Sequence, residues 1–233
     1  MKKVSLFVLC LICTTMVVGQ DADTKKEKKP LNSPILFKDR IVLDFFSSTW
    51  LGLNDNIKKK PVNFGFNGAI MFDLPVKKNH PFSFGLGVGV TNHNLYSNAI
   101  WEIGTDYTTI TTPIADGVKY RKNKITFTNI NIPIEFRYRH HRSGFKISAG
   151  VRVGLMADIH SKYLGAALDG NGGKDLIKNY NIPNRSKFPV EFTFKTGWKF
   201  VSLNVSYMVT KFFEDQKGPR INPISFGITI CPY

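Results

Sequence analysis

The chain has 233 residues, with 32 Lys and Arg against 17 Asp and Glu and a formal net charge of +15. Such a charge invites a nucleic-acid reading, but there is no aromatic-basic RNA motif, no basic recognition helix, and an apparatus for export at the start, so no nucleic acid is expected as a partner. Only three cysteines are present, two of them in the export segment, which excludes an intramolecular disulfide framework and a cysteine metal cluster; no metal and no cofactor is expected.

Lys2 and Lys3 precede an apolar run over residues 4–18 that ends in Val17, Val18 and Gly19 before Gln20. The run is too short for a membrane-spanning helix, and Gly19 with Val17 two residues before it suits signal peptidase, so residues 1–19 read as a signal peptide. A lipoprotein signal at Cys10 or Cys13 is disfavoured by Leu9 and Ile12, which stand where a small residue is needed. Cleavage removes two lysines and no acid, leaving a charge of +13 and Cys231 alone. Residues 20–39, with the polar stretch DADTKKEKKPLNSP at 21–34, cannot bury a core and read as a flexible periplasmic tail.

From residue 40 the pattern changes to a two-residue period, the signature of strands. The first segment, 40–51, sets Ile41, Leu43 and Phe45 against Asp44, with Val42 and Phe46 off pattern and Trp50 expected near a membrane interface. The second, 62–74, sets Phe64, Phe66, Ile70, Phe72 and Leu74 against Asn67, Met71 and Asp73. The third, 82–90, alternates Phe82, Phe84, Leu86, Val88 and Val90 with Ser83 and three glycines, which predicts room inside a narrow barrel for long neighbouring side chains. The fourth, 125–138 (ITFTNINIPIEFRY), is the longest: Ile130, Ile132, Ile134, Phe136 and Tyr138 oppose Asn129, Asn131, Glu135 and Arg137.

The fifth, 145–155, sets Phe145, Ile147, Val151, Val153 and Leu155 against Lys146, Ser148 and Arg152. The sixth, 188–196, sets Val190, Phe192 and Phe194 against Glu191, Thr193 and Lys195. The seventh, 200–208, and the eighth, 224–230, alternate in the same way. No helix-period segment exists to cover a sheet. Eight such strands are long enough to cross a bilayer when tilted, and they predict an all-β, eight-stranded antiparallel up-and-down transmembrane β-barrel over residues 40–233, apolar face to lipid and polar face inside.

The connections agree. Short segments at 75–81, 139–144 and 198–199 alternate with longer ones at 52–61, 91–124, 163–187 and 213–223, which predicts periplasmic turns, outside loops and both termini in the periplasm. Trp198, Phe82, Tyr138 and Phe145 are then expected in the inner aromatic girdle, and Trp50, Phe212 and Phe213 in the outer one. The predicted interior charges are Asp44, Asp73, Glu135 and Glu191 against Arg137, Lys146, Arg152 and Lys195, which should pair and plug the lumen. For the surface charge the natural acidic partner is outer-membrane lipid and lipopolysaccharide, although Lys-rich loops account for it equally well; other envelope proteins are the further expected partners.

The stretch NINIPIEFRY at 129–138 resembles the E-I-P-L-x-x-K-Y strand of the PorT-like porin family, an outer-membrane β-barrel domain of Gram-negative bacteria, with Asn131-Ile132-Pro133-Ile134 in place of E-I-P-L and Arg137-Tyr138 in place of K-Y. Gln20, the glycine-alternating strand and the aromatic terminus Tyr233 are similar too, while Asn131 replaces the usual acid and Pro232 puts Tyr233 out of phase. The resemblance spans residues 40–233 and implies an outer-membrane barrel. One named member of the family serves type IX secretion.

Catalytic and metal readings are weak. Tyr96-Ser97-Asn98 is similar to the H-Y-S-N stretch of lipid A deacylases, but Leu95 stands where the histidine base belongs and His93 is at the wrong spacing. His140 and His141 are adjacent in a turn, and neighbouring strand residues point to opposite faces. The loop 169–175 (DGNGGKD) lacks the first glycine and the Ser or Thr of a phosphate loop, and as a calcium loop offers Asp169, Asn171 and Asp175 without a bidentate Glu. No catalytic residue is assigned. The expected role is structural or protein-interactive in the envelope, ahead of a small-solute porin-like channel, an accessory of type IX secretion or a lipid A-modifying enzyme. The facing is directly testable: Val151→Arg, beside Arg152, puts a charge on the lipid face at a cost of about 2 to 4 kcal/mol, and should sharply reduce the heat-shifting barrel band in outer-membrane fractions.

Overall fold

The computed structural model describes residues 41–77, 80–104, 106–140, 142–168, 172–180 and 182–231, all within the unit Pro34–Tyr233. The expected leader at 1–19 and tail at 20–39 lie outside the described residues, as do His141, Asp169, Asn171 and Tyr233.

Alternating sequence becomes strand throughout, and the described residues contain no helix. The strands are β1 Ile41–Leu51, β2 Phe64–Pro75, β3 Phe82–Tyr96, β4 Ala99–Ile103, β5 Thr109–Pro113, β6 Tyr120–Arg139, β7 Phe145–Ala166, β8 Lys174–Asn179, β9 Val190–Trp198, β10 Val201–Met208 and β11 Asn222–Ile230. Eight of them close an antiparallel barrel in the order β1-β2-β3-β6-β7-β9-β10-β11, with β11 paired back onto β1 through contacts such as Phe45 with Ile228. Closure leaves no unpaired strand edge in the apolar belt, which is the condition for crossing hydrocarbon with strands. The remaining strands stand beyond that belt: β4 and β5 form a hairpin, and β8 extends the sheet beside the far half of β7.

Facing follows parity. Val88 and Leu203 are 59% and 64% exposed, whereas Asn67 and Met71 on the opposite parity are 1% exposed, so apolar side chains point out and the other set fills the lumen. Small residues make that filling possible. A Cβ on Gly85 would lie 2.7 Å from Nε of Arg137, and one on Gly65 would overlap the ring of Phe46, so these glycines give the long inward side chains their space.

Three strands run further than the sequence pattern predicts, because the two faces exchange character where the belt ends. Beyond Val90, β3 turns Asn92, Asn94 and Tyr96 outward and Thr91, His93 and Leu95 inward. In β6, Ile125 and Phe127 are fully buried inside. β7 changes parity through a bulge: Thr128 pairs with Asp158 but Asn129 pairs with Met156, leaving Ala157 as the extra residue. An extra residue moves every later side chain to the other face, which is how Ile159 and Tyr163 come to point inward like Met156.

The outer girdle assignment is corrected. Trp50 and Phe212 are wholly buried and Phe213 is 2% exposed; with Trp101, Phe127, Leu95, Ile159 and Ile221 they form an apolar core inside the loop end of the barrel. Trp50 sits at the centre, its ring 4.8 Å from that of Phe212 and 5.8 Å from that of Phe127. Buried amides fasten the loops over this core: Asn63 donates to Ser48 O and Lys60 O and accepts from the Tyr96 amide, and Asn123 donates to Ser97 O and Ala99 O. A Trp in a lipid girdle would tolerate truncation. Trp50→Ala should instead lower stability by about 3 to 5 kcal/mol, as for other large-to-small core changes, read from urea titrations of the barrel folded in vesicles.

Candidate functional site: the charge chain inside the barrel

Below the apolar core the lumen is mostly polar, apart from a small cluster of Val42, Ala69, Met71 and Cys231, and seven of its charged residues together with His93 form one alternating chain. Asp73 lies 3.5 Å from Arg137, whose guanidinium holds Glu135 at 2.8 and 2.9 Å. Glu135 accepts from Lys195 at 3.0 Å, and Lys195 stands 3.6 Å from Asp44. Asp44 accepts from Arg152 at 2.5 Å, Arg152 lies 3.5 Å from Glu191, and Glu191 is 3.4 Å from His93 Nε2. Asp44 is fully buried, and Glu135, Arg152 and Glu191 are 3% to 4% exposed. Charges this deep persist only when paired and hydrogen-bonded.

Neutral side chains complete the arrangement as a band around the wall. Asn131 donates to Thr91, Thr91 to Asn67, and Asn67 to Asp44, each at 2.8 Å. On the other side Thr229 donates to Asp44 at 2.6 Å, and Asn204 to Thr229 at 3.0 Å. With Lys195 and Arg152 the band draws one side chain from each of the eight barrel strands. Alternation causes this: each contributing residue occupies the inward parity at the same level.

Of the eight charged residues singled out from sequence, Asp44, Asp73, Glu135, Arg137, Arg152, Glu191 and Lys195 are joined by these contacts. Lys146 is not. It is on the inner face near the turn end, but its Nζ has no hydrogen-bond acceptor among the described residues, and it faces the Cys231 end of the lumen. The basic end of the chain is occupied by His93, considered from sequence only as a misplaced catalytic base. Its parity was the available signal, since it shares the inward face with Gly85, Gly87, Gly89 and Thr91.

His93 also brings together an array that spacing along the chain does not reveal. Its Nδ1 is 3.1 Å from Ser48 Oγ and its Nε2 is 3.4 Å from Glu191 Oε1. Ser, His and Glu follow one another in the order of a nucleophile, base and orienting acid, but the two ring nitrogens are exchanged relative to that arrangement and Nε2 makes no hydrogen bond among the described residues. The surroundings are those of a packed core: the His93 ring stacks on Phe127 at 4.5 Å and lies 4.9 Å from Phe46, Ser48 Oγ also bonds Ser225 Oγ at 2.8 Å, and both Ser48 and His93 are 1% exposed. A substrate carbonyl has no approach to Ser48 Oγ in this arrangement. A narrow crevice with no room for a water molecule lies nearby, lined by Thr91, Asn129, Asn131, Arg152, Glu191 and Pro189, and Oδ1 of Asn129 and Asn131 meet no hydrogen-bond donor among the described residues.

The other sequence candidates have structural contacts. Ser97 Oγ accepts from the Ala99 amide at 3.3 Å, Asp175 accepts from the Leu168 amide at 3.2 Å, and His140 contacts Ser143 Oγ at 2.8 Å within its turn. Of the calcium candidates weighed in the 169–175 loop, Asp169 and Asn171 lie outside the described residues.

The closed barrel with inward charges and an apolar exterior agrees with the comparison against protein families, in which the model for the outer membrane protein beta-barrel domain matches residues 43–214. The chain belongs to that family. The match begins inside β1 and ends before β11, so this outer-membrane β-barrel draws its closing strand from beyond the matched region. No curated protein matches the chain. The paired charges inside the outer-membrane barrel can be cut singly: Glu135→Gln leaves Lys195 and Arg137 undercompensated and should cost about 3 kcal/mol. Adding Lys195→Gln should recover part of that loss, an interaction visible in a double-mutant cycle on vesicle-folded protein.

Proposed function

We propose that this protein is a sealed outer-membrane barrel whose task is structural or protein-interactive, performed by its loop end, and that it is not a route for solutes. One observation carries the reading: the lumen is filled by two successive plugs of different chemistry. The charge chain from Asp73 to His93 occupies the turn-end half, and the Trp50, Phe127 and Phe212 core occupies the loop-end half. Eight strands enclose a bore that side chains can fill. A small-solute channel needs a continuous polar path, and the aromatic core interrupts it.

In this reading the short turns face the periplasm with both termini, and the four long connections face out, the usual arrangement of such barrels. The leader at 1–19 and the periplasmic tail at 20–39 belong to the same proposal. The likeness of NINIPIEFRY to the PorT-like porins supports a place near that branch of the family, without a role in type IX secretion. Modification of lipid A is not part of the proposal, since the Ser-His-Glu array among the described residues is buried inside the barrel. Loop-end structure supports a contact function: the β4 and β5 hairpin and the projecting β7 and β8 present Ile103, Tyr107, Ile110, Leu176, Ile177 and Tyr180 in exposed positions.

Reconstituted into planar bilayers, the full chain should give no discrete conductance steps, while mild-detergent extraction from outer membranes should recover it with stoichiometric protein companions. Regular single-channel steps at protein-dependent frequency would overturn the sealed reading, and a barrel that extracts alone would overturn the interactive one.

A further inference from the structure

Above the belt, on the lipid-side face of β3, β6, β7 and β8, lysines are set directly opposite one another. Lys124 on β6 pairs with Lys162 on β7, and Lys162 pairs in turn with Lys178 on β8. On the other flank Lys124 pairs with Tyr96 of β3, and Nζ of Lys60 and of Lys124 lie 5.8 and 5.9 Å from the centre of that ring. Lys122 stands one row and Lys174 two rows further out on the same face, since Asn123, Ile159 and Tyr163 fix the inward parity. Like charges directly opposite in a sheet oppose its formation. The register is nevertheless fixed by the inward core, so the repulsion is built in and calls for an external counter-charge.

Among the described residues nothing supplies it. Among the described residues none of these six lysines makes an ion pair, and the one acid on this face of the four strands is Asp158, two rows lower and engaged by His160 at 2.8 Å. Across the mouth the pattern is different: Lys211 pairs with Asp215 and Lys217 with Glu214 inside their own loop. The row is also positioned. Lys124 Nζ donates to Asn94 Oδ1 at 2.5 Å, and the rows below it are Asn94 with Thr126 and His160, then Asn92 with Thr128 and Asp158, then the last apolar row at Val90, Ile130 and Leu155. Three rows of a tilted strand place the lysines about 15 Å above that apolar row, at the level of charged head groups and not of acyl chains.

We propose that this row is a binding site for the phosphorylated saccharide head group of an outer-leaflet glycolipid, a lipopolysaccharide. Lys60, Lys124, Lys162 and Lys178 contact its phosphate and carboxylate groups, Tyr96 contributes an aromatic face for the sugar, and Leu176 on the same face of β8 meets its apolar edge. Lys124, Lys162 and Lys178 stand on neighbouring strands, whose backbones are about 4.8 Å apart, so a ligand with several anionic groups can meet them together where a single free phosphate does not. This site rests on the orientation proposed above, with the loop end outward.

The test is native mass spectrometry and titration of the full chain in mild detergent, with purified deep-rough lipopolysaccharide and the same glycolipid after removal of its phosphates. The triple variant Lys124→Gln, Lys162→Gln, Lys178→Gln should bind lipopolysaccharide about 10- to 100-fold more weakly, given the contribution of each lysine near an anionic surface, while keeping the heat-shifting band of a folded barrel. A control triple with the same charge change, Lys58→Gln, Lys211→Gln, Lys217→Gln, should bind within about twofold of the parent, because exposed pairs of this kind contribute little. Lys162→Gln alone provides the same readout if the triple folds poorly. Unchanged binding by the row variants, equal loss in both triples, or equal binding of the dephosphorylated glycolipid overturns the site, as does an acidic protein retained on the row in place of lipid. Labelling of Asp116→Cys on intact cells by an impermeant maleimide separates the two readings: failure to label overturns the orientation and the site with it, whereas labelling with unchanged lipid binding overturns the site alone.

Discussion

The barrel is organised around a carboxylate that water cannot reach. Asp44 is fully buried, and its two oxygens accept from Asn67, Arg152 and Thr229, with Lys195 3.6 Å away. An uncompensated ion there would carry a desolvation penalty of several kcal/mol. Its partners come from β2, β7, β11 and β9, so they meet only when the sheet has closed on itself. Neutralising Asp44 and closing the cylinder are therefore the same event. The register of each contributing strand is constrained by it, because a slip of one residue would send the partner to the lipid face and leave Asp44 exposed to the lumen without its counter-charge.

This constraint explains why the interior has two chemistries in series. In the turn-end half the outside is hydrocarbon, and the strands alternate apolar against polar, so the inner face is necessarily the polar one and must satisfy itself through pairing. In the loop-end half the outside is aqueous or head-group-like, the alternation is inverted, and the inner face becomes an ordinary apolar core. His93 and Ser48 stand at the boundary. His93 is held between the Phe46 and Phe127 rings with Nε2 3.4 Å from Glu191, and Ser48 is bonded to Ser225 on the polar side. The Ser-His-Glu array lies where the charge chain meets the aromatic core, and all three of its groups are buried.

Sequence alone made the eight barrel strands and their facing legible, because an apolar belt in lipid imposes the strongest two-residue period a chain can carry. It also placed the inward charges on the correct parity, since a charge on the other parity would face hydrocarbon. The period became unreadable where the environment changed. Thr91 to Tyr96 continue β3, but with apolar residues inside, so hydrophobicity signals the end of a strand that in fact goes on. β7 adds a bulge at Ala157, and a parity change in mid-strand has no composition signature. Trp50, Phe212 and Phe213 were misassigned for a related reason: an aromatic girdle and an aromatic core have the same composition. Only parity distinguishes them, and Trp50 shares its parity with Asp44, Phe46 and Ser48.

The same inversion makes the lysine row possible. Within the belt a lysine on the outer face would be expelled from hydrocarbon, and on the inner face it would have to find a carboxylate, as Lys195 does. Above the belt the inner face is closed to it by Ile125, Phe127, Ile159 and Tyr163, so lysines there are confined to the outside, strand after strand, at one height. Register fixed by the core then aligns Lys124, Lys162 and Lys178 whether or not their charges agree with one another. Packing inside the mouth determines the positions, and the repulsion it leaves outside is the feature that an anionic head group at that height relieves.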